Sequence, residues 1–164
     1  MKNWKWVLGG LGISVIIFCV GFLAGLRFEK LDFLRVVDGD TFWVVNRRDG
    51  RDWKVRLWAV NAPDTKECYF DEATKILEKE LLNKKISYER FGYDGYGRIL
   101  AKVYVNGVSL EETLVATGAA VAYDAAQVHD ELKPSAEYVA NLKKIEEKAK
   151  IEKRGMWSSA CVRI

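Results

Sequence analysis

The apolar pattern changes character once along the chain. From Val7 to Leu26 twenty residues run without a charge, VLGGLGISVIIFCVGFLAGL, long enough to span a hydrocarbon core of about 30 Å as one helix. Lys2 and Lys5 precede this stretch and Arg27 closes it. A cleaved signal peptide is the rival reading, but its apolar part normally runs about 7–15 residues and ends in a small-x-small site. Phe22-Leu23-Ala24 is not such a site, and Ile17 and Phe18 stand before Cys19 where a lipoprotein would carry small residues. The reading adopted is a short cytoplasmic N-terminus at 1–6, an uncleaved transmembrane anchor at 7–26 and a linker at 27–32.

Beyond the linker the period shortens to two. Runs rich in β-branched and aromatic residues at 33–37, 41–45, 53–60, 85–91 and 98–105 predict five strands. Asp38-Gly39, Asp49-Gly50 and Asn106-Gly107 mark turns between them. Helical spacing returns at Phe70, Ala73, Leu77 and Leu81, and again at Tyr138, Leu142, Ile145 and Ala149. Ser109-Leu110-Glu111-Glu112 reads as a capping box opening a helix that closes at Gly118. The order predicts an α+β domain over 33–164: a five-stranded OB-type β-barrel with three helices, preceded by one N-terminal transmembrane helix.

Composition narrows the class. With 164 residues, 49% hydrophobic and 30% charged, the chain has room for one ordinary domain and a short extra segment. Two prolines and no fixed-period repeat exclude solenoid and low-complexity architectures. Lys2 and Lys5 account for two of the three net positive charges, leaving +1 on residues 27–164. A near-neutral body gives little long-range steering, so any polyanion site must be built locally.

Three short segments carry candidate chemistry. Asp38 and Asp40 flank a glycine in a tight turn, where two carboxylates can sit together and suit a hard cation. In the run 53–60, strand alternation puts Val55 and Leu57 on one face and frees Arg56 to point the other way; Asn61-Ala62-Pro63-Asp64 then ends the ladder. Asp94-Gly95-Tyr96-Gly97-Arg98 is a glycine-opened loop that delivers an arginine at a strand start. Taken alone, the first two read more readily as a hairpin or turn with a solvated charge, and the third reads as well that way. Zinc is excluded by three dispersed cysteines and the single histidine, His129, read as a surface residue. Trp4 and Trp6 belong at a membrane interface. Trp43, Trp53, Trp58 and Trp157 are packing or surface aromatics, with Trp58 on the face of Arg56.

Together, in this order, the segments resemble the thermonuclease family. The resemblance rests on the DGDT turn, the R-L-x-x-V-x-x-P stretch, the D-x-Y-G-R loop, Leu114 to Gly118, Val121-Ala122-Tyr123 and Gly155-Met156-Trp157, and runs from about Phe33 to Trp157. It implies calcium-dependent hydrolysis of DNA or RNA phosphodiesters, with another divalent metal as an alternative to calcium. By the match Asp40, Asn61 and the backbone carbonyl of Ala62 would hold the metal, and Arg56 and Arg98 would clamp the phosphate. Asp64 would orient or deprotonate the attacking water, and Tyr96 and Tyr123 would contact the nucleotide. The resemblance also favours a Cys68–Cys161 disulfide over two unlinked thiols. Cys19 reads as a filler within the anchor.

The chain departs from the family in two of these places. Asn61 stands where the family has aspartate, so the ligand loses its charge. Asp64 stands where it has glutamate, withdrawing the carboxylate by one carbon–carbon bond, about 1.5 Å. The loop from Asp64 to Tyr69 is also shortened, with Lys66 its one base. Either Asp64 ligates the metal directly and the site is active, or the barrel survives as a catalytically weakened nucleic-acid-binding module; retention of Asp40, Arg56 and Arg98 favours activity. The domain is read as a monomer, anchored to the lipid bilayer through 7–26 and facing the extracytoplasmic side. There a nuclease is kept from the cell's own nucleic acid and the cysteine pair meets an oxidising medium.

Overall fold

The computed structural model describes residues 29–123 and 132–161. The 7–26 stretch, with Trp4, Trp6 and Cys19, lies outside them, as does His129. Among the described residues no helix is long and apolar enough to cross a membrane.

Among the described residues eight strands and three α-helices follow in chain order: β1 Glu29–Asp38, β2 Thr41–Asn46, β3 Asp52–Leu57, β4 Val60–Asn61, α1 Phe70–Leu81, β5 Ile86–Tyr93, β6 Ile99–Val105, β7 Val108–Ser109, α2 Leu110–Thr117, β8 Val121–Ala122 and α3 Ala136–Ile151. A 3-10 turn follows at Gly155–Trp157. The main sheet runs β3-β2-β1-β5-β6-β7, and β3 also pairs with β6 in parallel. That last pairing closes the five long strands into a barrel, as the strand pattern predicts.

Two boundaries differ from the sequence reading. The stretch 27–32 is not all linker: β1 begins at Glu29, where Glu29, Lys30 and Leu31 pair with Tyr88, Ser87 and Ile86, and Leu31 is buried in the core. The run 53–60 is not one strand. Ala59 takes a left-handed φ of 66°, which breaks the ladder after Leu57 and lets Val60–Asn61 pair instead with Val121–Ala122. This turn brings Asn61 round toward Arg56.

Phe42, Val44, Val55 and Leu57 from the barrel meet Leu77 and Leu81 of α1, Leu114 and Val115 of α2, and Leu142 of α3, all essentially inaccessible. Each such side chain contributes about 1.5–3 kcal/mol by its burial. The capping box forms by half: Ser109 Oγ accepts the Glu112 N–H at 3.3 Å. Glu111 turns inward instead, fully buried, where it accepts from Val103 N–H at 3.0 Å and from the Ser109 hydroxyl at 3.2 Å. Helix α2 ends at Gly118 with φ 71°, where a Cβ would lie 2.3 Å from the Arg154 carbonyl oxygen. That contact, with the Met156 N–H donating to Gly118 O at 3.0 Å, docks the C-terminal turn beside the barrel. Cys68 and Cys161 are joined in a disulfide, Cα atoms 5.5 Å apart, which ties the loop before α1 to the chain after that turn.

Candidate active site

The DGDT turn is fixed by a glycine with no room for anything larger. A Cβ on Gly39 would lie 2.6 Å from the Ala62 Cβ and 2.9 Å from the Ala73 Cβ, so only glycine lets the turn pack against α1 and residue 62. Asp38 Oδ1 accepts the Asp40 N–H at 3.1 Å. Asp40, 7% exposed, accepts the Thr41 hydroxyl at 3.0 Å on Oδ1 and the Ala62 N–H at 2.8 Å on Oδ2. Burial lifts its carboxyl to about 6, against the opposing charge of Arg56 and the Ala62 hydrogen bond.

Arg56 projects from β3 opposite to the buried Val55 and Leu57, as strand alternation predicts, and lies across from Thr41 in the β2–β3 register. Its Nε pairs with Asp40 Oδ1 at 3.1 Å. One terminal nitrogen donates to the carbonyls of Leu57 at 2.5 Å and Val60 at 2.7 Å, and the other donates to Asn61 Oδ1. Three hydrogen bonds and one ion pair thus hold a guanidinium that has five N–H donors. Burial lowers the Arg56 pKa from its ordinary value while the Asp40 charge raises it; the side chain is a fixed cation whose orientation is set before any ligand arrives.

Arg98 is positioned by Asp94. Asp94 Oδ1 accepts the N–H groups of Tyr96 and Arg98, both at 2.9 Å, and Oδ2 takes Arg98 Nε at 2.6 Å. Burial would raise the Asp94 carboxyl, but these hydrogen bonds outweigh it and hold the group below the usual range. Arg98 also donates to Thr41 Oγ1 at 3.4 Å, so both arginines converge on the same turn, and its guanidinium lies 5.4 Å from the Tyr96 ring centroid.

Asp38, Asp40, Arg56, Asn61, Ala62, Asp64 and Arg98 line one cleft of about 740 Å³. A second cavity of about 490 Å³ shares Arg56, Asn61 and Arg98 and adds Trp58, Tyr93, Tyr96 and Tyr123. All the sequence-predicted site residues therefore line a pair of cavities joined at the two arginines, and the Cys68–Cys161 bridge forms part of the first wall. Trp58 is held by stacking on Phe91, ring centroids 3.7 Å apart, and by donating Nε1–H to the Leu132 carbonyl at 2.7 Å.

Sequence reasoning missed two residues. Glu67 lines the same cleft; its carboxylate accepts the Asp64 N–H at 2.7 Å, and its own N–H donates to Asp64 O at 2.8 Å. The D-x-x-E spacing was the available signal. Asp94 is the other: its place in the glycine-opened loop gives no sign that its carboxylate orients Arg98.

Among the described residues no cluster of three or more His, Cys, Asp or Glu side chains could itself hold a metal ion. Asp40 and Asn61, whose side-chain oxygens both meet Arg56, line one cleft with Ala62, whose N–H donates to Asp40; carboxylate and amide oxygens suit a hard cation in kind. Among the described residues Asp40 Oδ2 has a single hydrogen-bond donor, the Ala62 N–H, which leaves a lone pair for such a cation.

The profile of the family described as Staphylococcal nuclease homologue matches residues 54–159. The SPbeta prophage-derived endonuclease YokF of Bacillus subtilis (strain 168) is 38% identical over 135 residues, covering 76% of this chain and 42% of its own. An uncharacterized endonuclease of Escherichia coli is 31% identical over 128 residues, 77% of this chain and 76% of its own. The thermonuclease of Staphylococcus hyicus is 28% identical over 145 residues, 84% and 80%. The chain thus spans less than half of YokF but three quarters or more of the other two. The profile match begins inside β3, just before Arg56, and ends past the C-terminal turn; with the closed barrel and the paired arginines in place around it, the chain belongs to the staphylococcal nuclease family.

Proposed function

We propose that this protein is a metal-dependent nuclease that hydrolyses phosphodiester bonds of DNA, RNA or both. The observation that carries the reading is the convergence of Arg56 and Arg98 on the Asp40–Thr41 turn, within one cleft that opens onto an aromatic cavity. The names of the relatives, endonuclease and thermonuclease, agree with it.

A phosphodiester resists attack because it is anionic, and its transition state gathers further charge on the equatorial oxygens. Arg98 answers that charge with a planar fork that can pair two phosphate oxygens, and Arg56, most of whose donors are held within the protein, answers it with a fixed positive charge. Arg98 is steered by Asp94, and Arg56 is locked by Asp40, Asn61 and two carbonyls, so little reorganisation is needed at the moment of reaction. Asp64, exposed at the rim of the cleft, is the carboxylate that orients the attacking water or takes its proton. Glu67 fixes the backbone on which Asp64 stands. Tyr96 and Tyr123 face the base or sugar. Asp40, Asn61 and the Ala62 carbonyl are the residues that would hold calcium or another hard divalent ion, which when bound supplies further neutralisation of the phosphate.

The domain acts as a monomer, tethered to the bilayer through residues 7–26 and exposed to the extracytoplasmic side. The Cys68–Cys161 disulfide supports that compartment, since such bonds persist where the medium is oxidising. One observation favours a second reading, a catalytically silent binding module: Arg56 has most of its donors engaged within the protein. The purified full chain, held in detergent, separates the two when incubated with single-stranded DNA and RNA over calcium, magnesium and manganese. Chelator-sensitive cleavage supports the nuclease, whereas oligonucleotide binding without cleavage in any metal supports the module.

A further inference from the structure

We propose that Arg35, Trp43 and Lys54 form a track for the substrate strand next to the scissile phosphate. The proposal rests on the nuclease reading and extends it to a preference for polynucleotide chains over isolated diesters.

The three residues are direct neighbours across three strands: Arg35 pairs with Trp43 in the β1–β2 register, and Trp43 with Lys54 in the β2–β3 register. The next pair toward the cleft on the same face is Thr41 with Arg56, one two-residue step or about 7 Å away along the strands. The ladder therefore continues the outward face that carries the phosphate-clamping arginine. Arg35 is exposed, and Trp43 and Lys54 are half-buried.

Charge marks this row, as it does Arg90 over Tyr93 and Lys102 over Tyr104 and Tyr138, but of these only Arg35 and Lys54 share one ring in line with Arg56. Arg47, Lys84, Arg98, Lys150 and Arg154 are paired with carboxylates. Arg35 and Lys54 have no carboxylate partner among the described residues and lie against Trp43 instead, 5.4 Å and 6.0 Å from its ring centroid. Cation–π contact holds both positive groups in place without neutralising them. In a body whose net charge is close to zero, two such cations beside an indole make the local combination of phosphate contacts and stacking surface that single-stranded nucleic acid takes. The next outward row contains Val45 between Asp32, which Arg47 pairs, and Asp52, and the Asp52 carboxylate repels a phosphate chain. The track is accordingly short, ending where that row begins.

The test uses the full chain and the double variant Arg35→Glu/Lys54→Glu, assayed on a dinucleotide and on an oligothymidylate of about a dozen nucleotides across a salt series. The double variant is expected to lose at least about tenfold in kcat/KM on the oligonucleotide, carried by KM, and the loss on the dinucleotide is expected to be much smaller. The slope of log kcat/KM against log salt should become shallower by about 1.4, the value for two phosphate contacts on a single strand. Trp43→Ala should weaken the oligonucleotide by a similar factor with the slope preserved. Equal losses on both substrates, or an oligonucleotide KM and salt slope that do not move, would overturn the track. If the parent cleaves neither substrate, the nuclease reading fails, and fluorescence anisotropy with a labelled oligothymidylate decides the ladder separately: weaker binding by the double variant upholds it, and equal binding overturns it.

Discussion

Arg56 donates to the amide oxygen of Asn61 while its Nε is paired with Asp40 at 3.1 Å. One guanidinium thus bridges the two side chains that the family resemblance assigns to the metal, and residue 61 answers it with an amide in place of a second carboxylate. Position 61 sets the balance of charge in the cleft, because the cation of Arg56 is matched by a single buried anion.

Restoring the charge should strengthen the metal site. Asn61→Asp is expected to tighten calcium binding by about tenfold or more, since affinity at oxygen sites follows the count of charged ligands. Calorimetric titration of the parent and the variant with calcium checks it.

Asp64 and Glu67 make a second prediction. Asp64→Glu returns the missing methylene, and a displacement of about 1 Å at a reacting group is worth up to roughly a hundredfold; kcat on single-stranded DNA should rise. Glu67→Ala frees the Asp64 N–H and should lower kcat with little change in KM, whereas Glu67→Gln, which keeps an acceptor, should retain most of the rate.

The disulfide should matter for stability and for the cleft it borders. Replacing Cys68 and Cys161 together by serine opens a bridge between residues 93 positions apart, and the expected cost is about 2–5 kcal/mol. Thermal melts of the parent with and without reductant, set beside the double variant, should show the parent falling to the variant's Tm only when reduced.

Glu111 gives the pH dependence a sign. Burial raises its carboxyl from 4.5 to about 8, more than the hydrogen bonds from Val103 and Ser109 and the charge of Lys102 lower it; Tyr138, whose hydroxyl lies 3.3 Å from Ser109 Oγ, and Glu112 are the other titratable groups near it. Above 4.5 the unfolded chain releases this proton and the folded chain keeps it, so stability falls as pH rises toward 8, by at most about 1.4 kcal/mol per unit. Glu111→Gln keeps an acceptor for Val103 and should remove that slope in denaturant titrations between pH 5 and 8.

Much of this was legible in the sequence because local signals agreed. Alternation placed Val55 and Leu57 inside and Arg56 outside, and the helical spacing of Ala73, Leu77 and Leu81 matched the buried face of α1. What escaped was set by long-range pairing. Leu31 sits among charged neighbours, and only its pairing with Asn46 and Ile86 makes it part of a strand. The left-handed Ala59 gives no compositional warning, yet it decides where Asn61 points. The Arg35–Trp43–Lys54 row was invisible because irregularities around Leu34 and Val37 shift the β1–β2 register, which no strand pattern reveals.

The most direct test of the central claim is the rate of single-stranded DNA cleavage by the parent, Arg98→Ala and Arg56→Lys at saturating calcium, each protein first shown folded by its melt. The expected result is chelator-sensitive cleavage by the parent and a loss of roughly a hundredfold or more in kcat for each variant. Cleavage that is absent from the parent in every divalent metal, or that survives both substitutions within a few-fold, would contradict a nuclease built on this arginine pair.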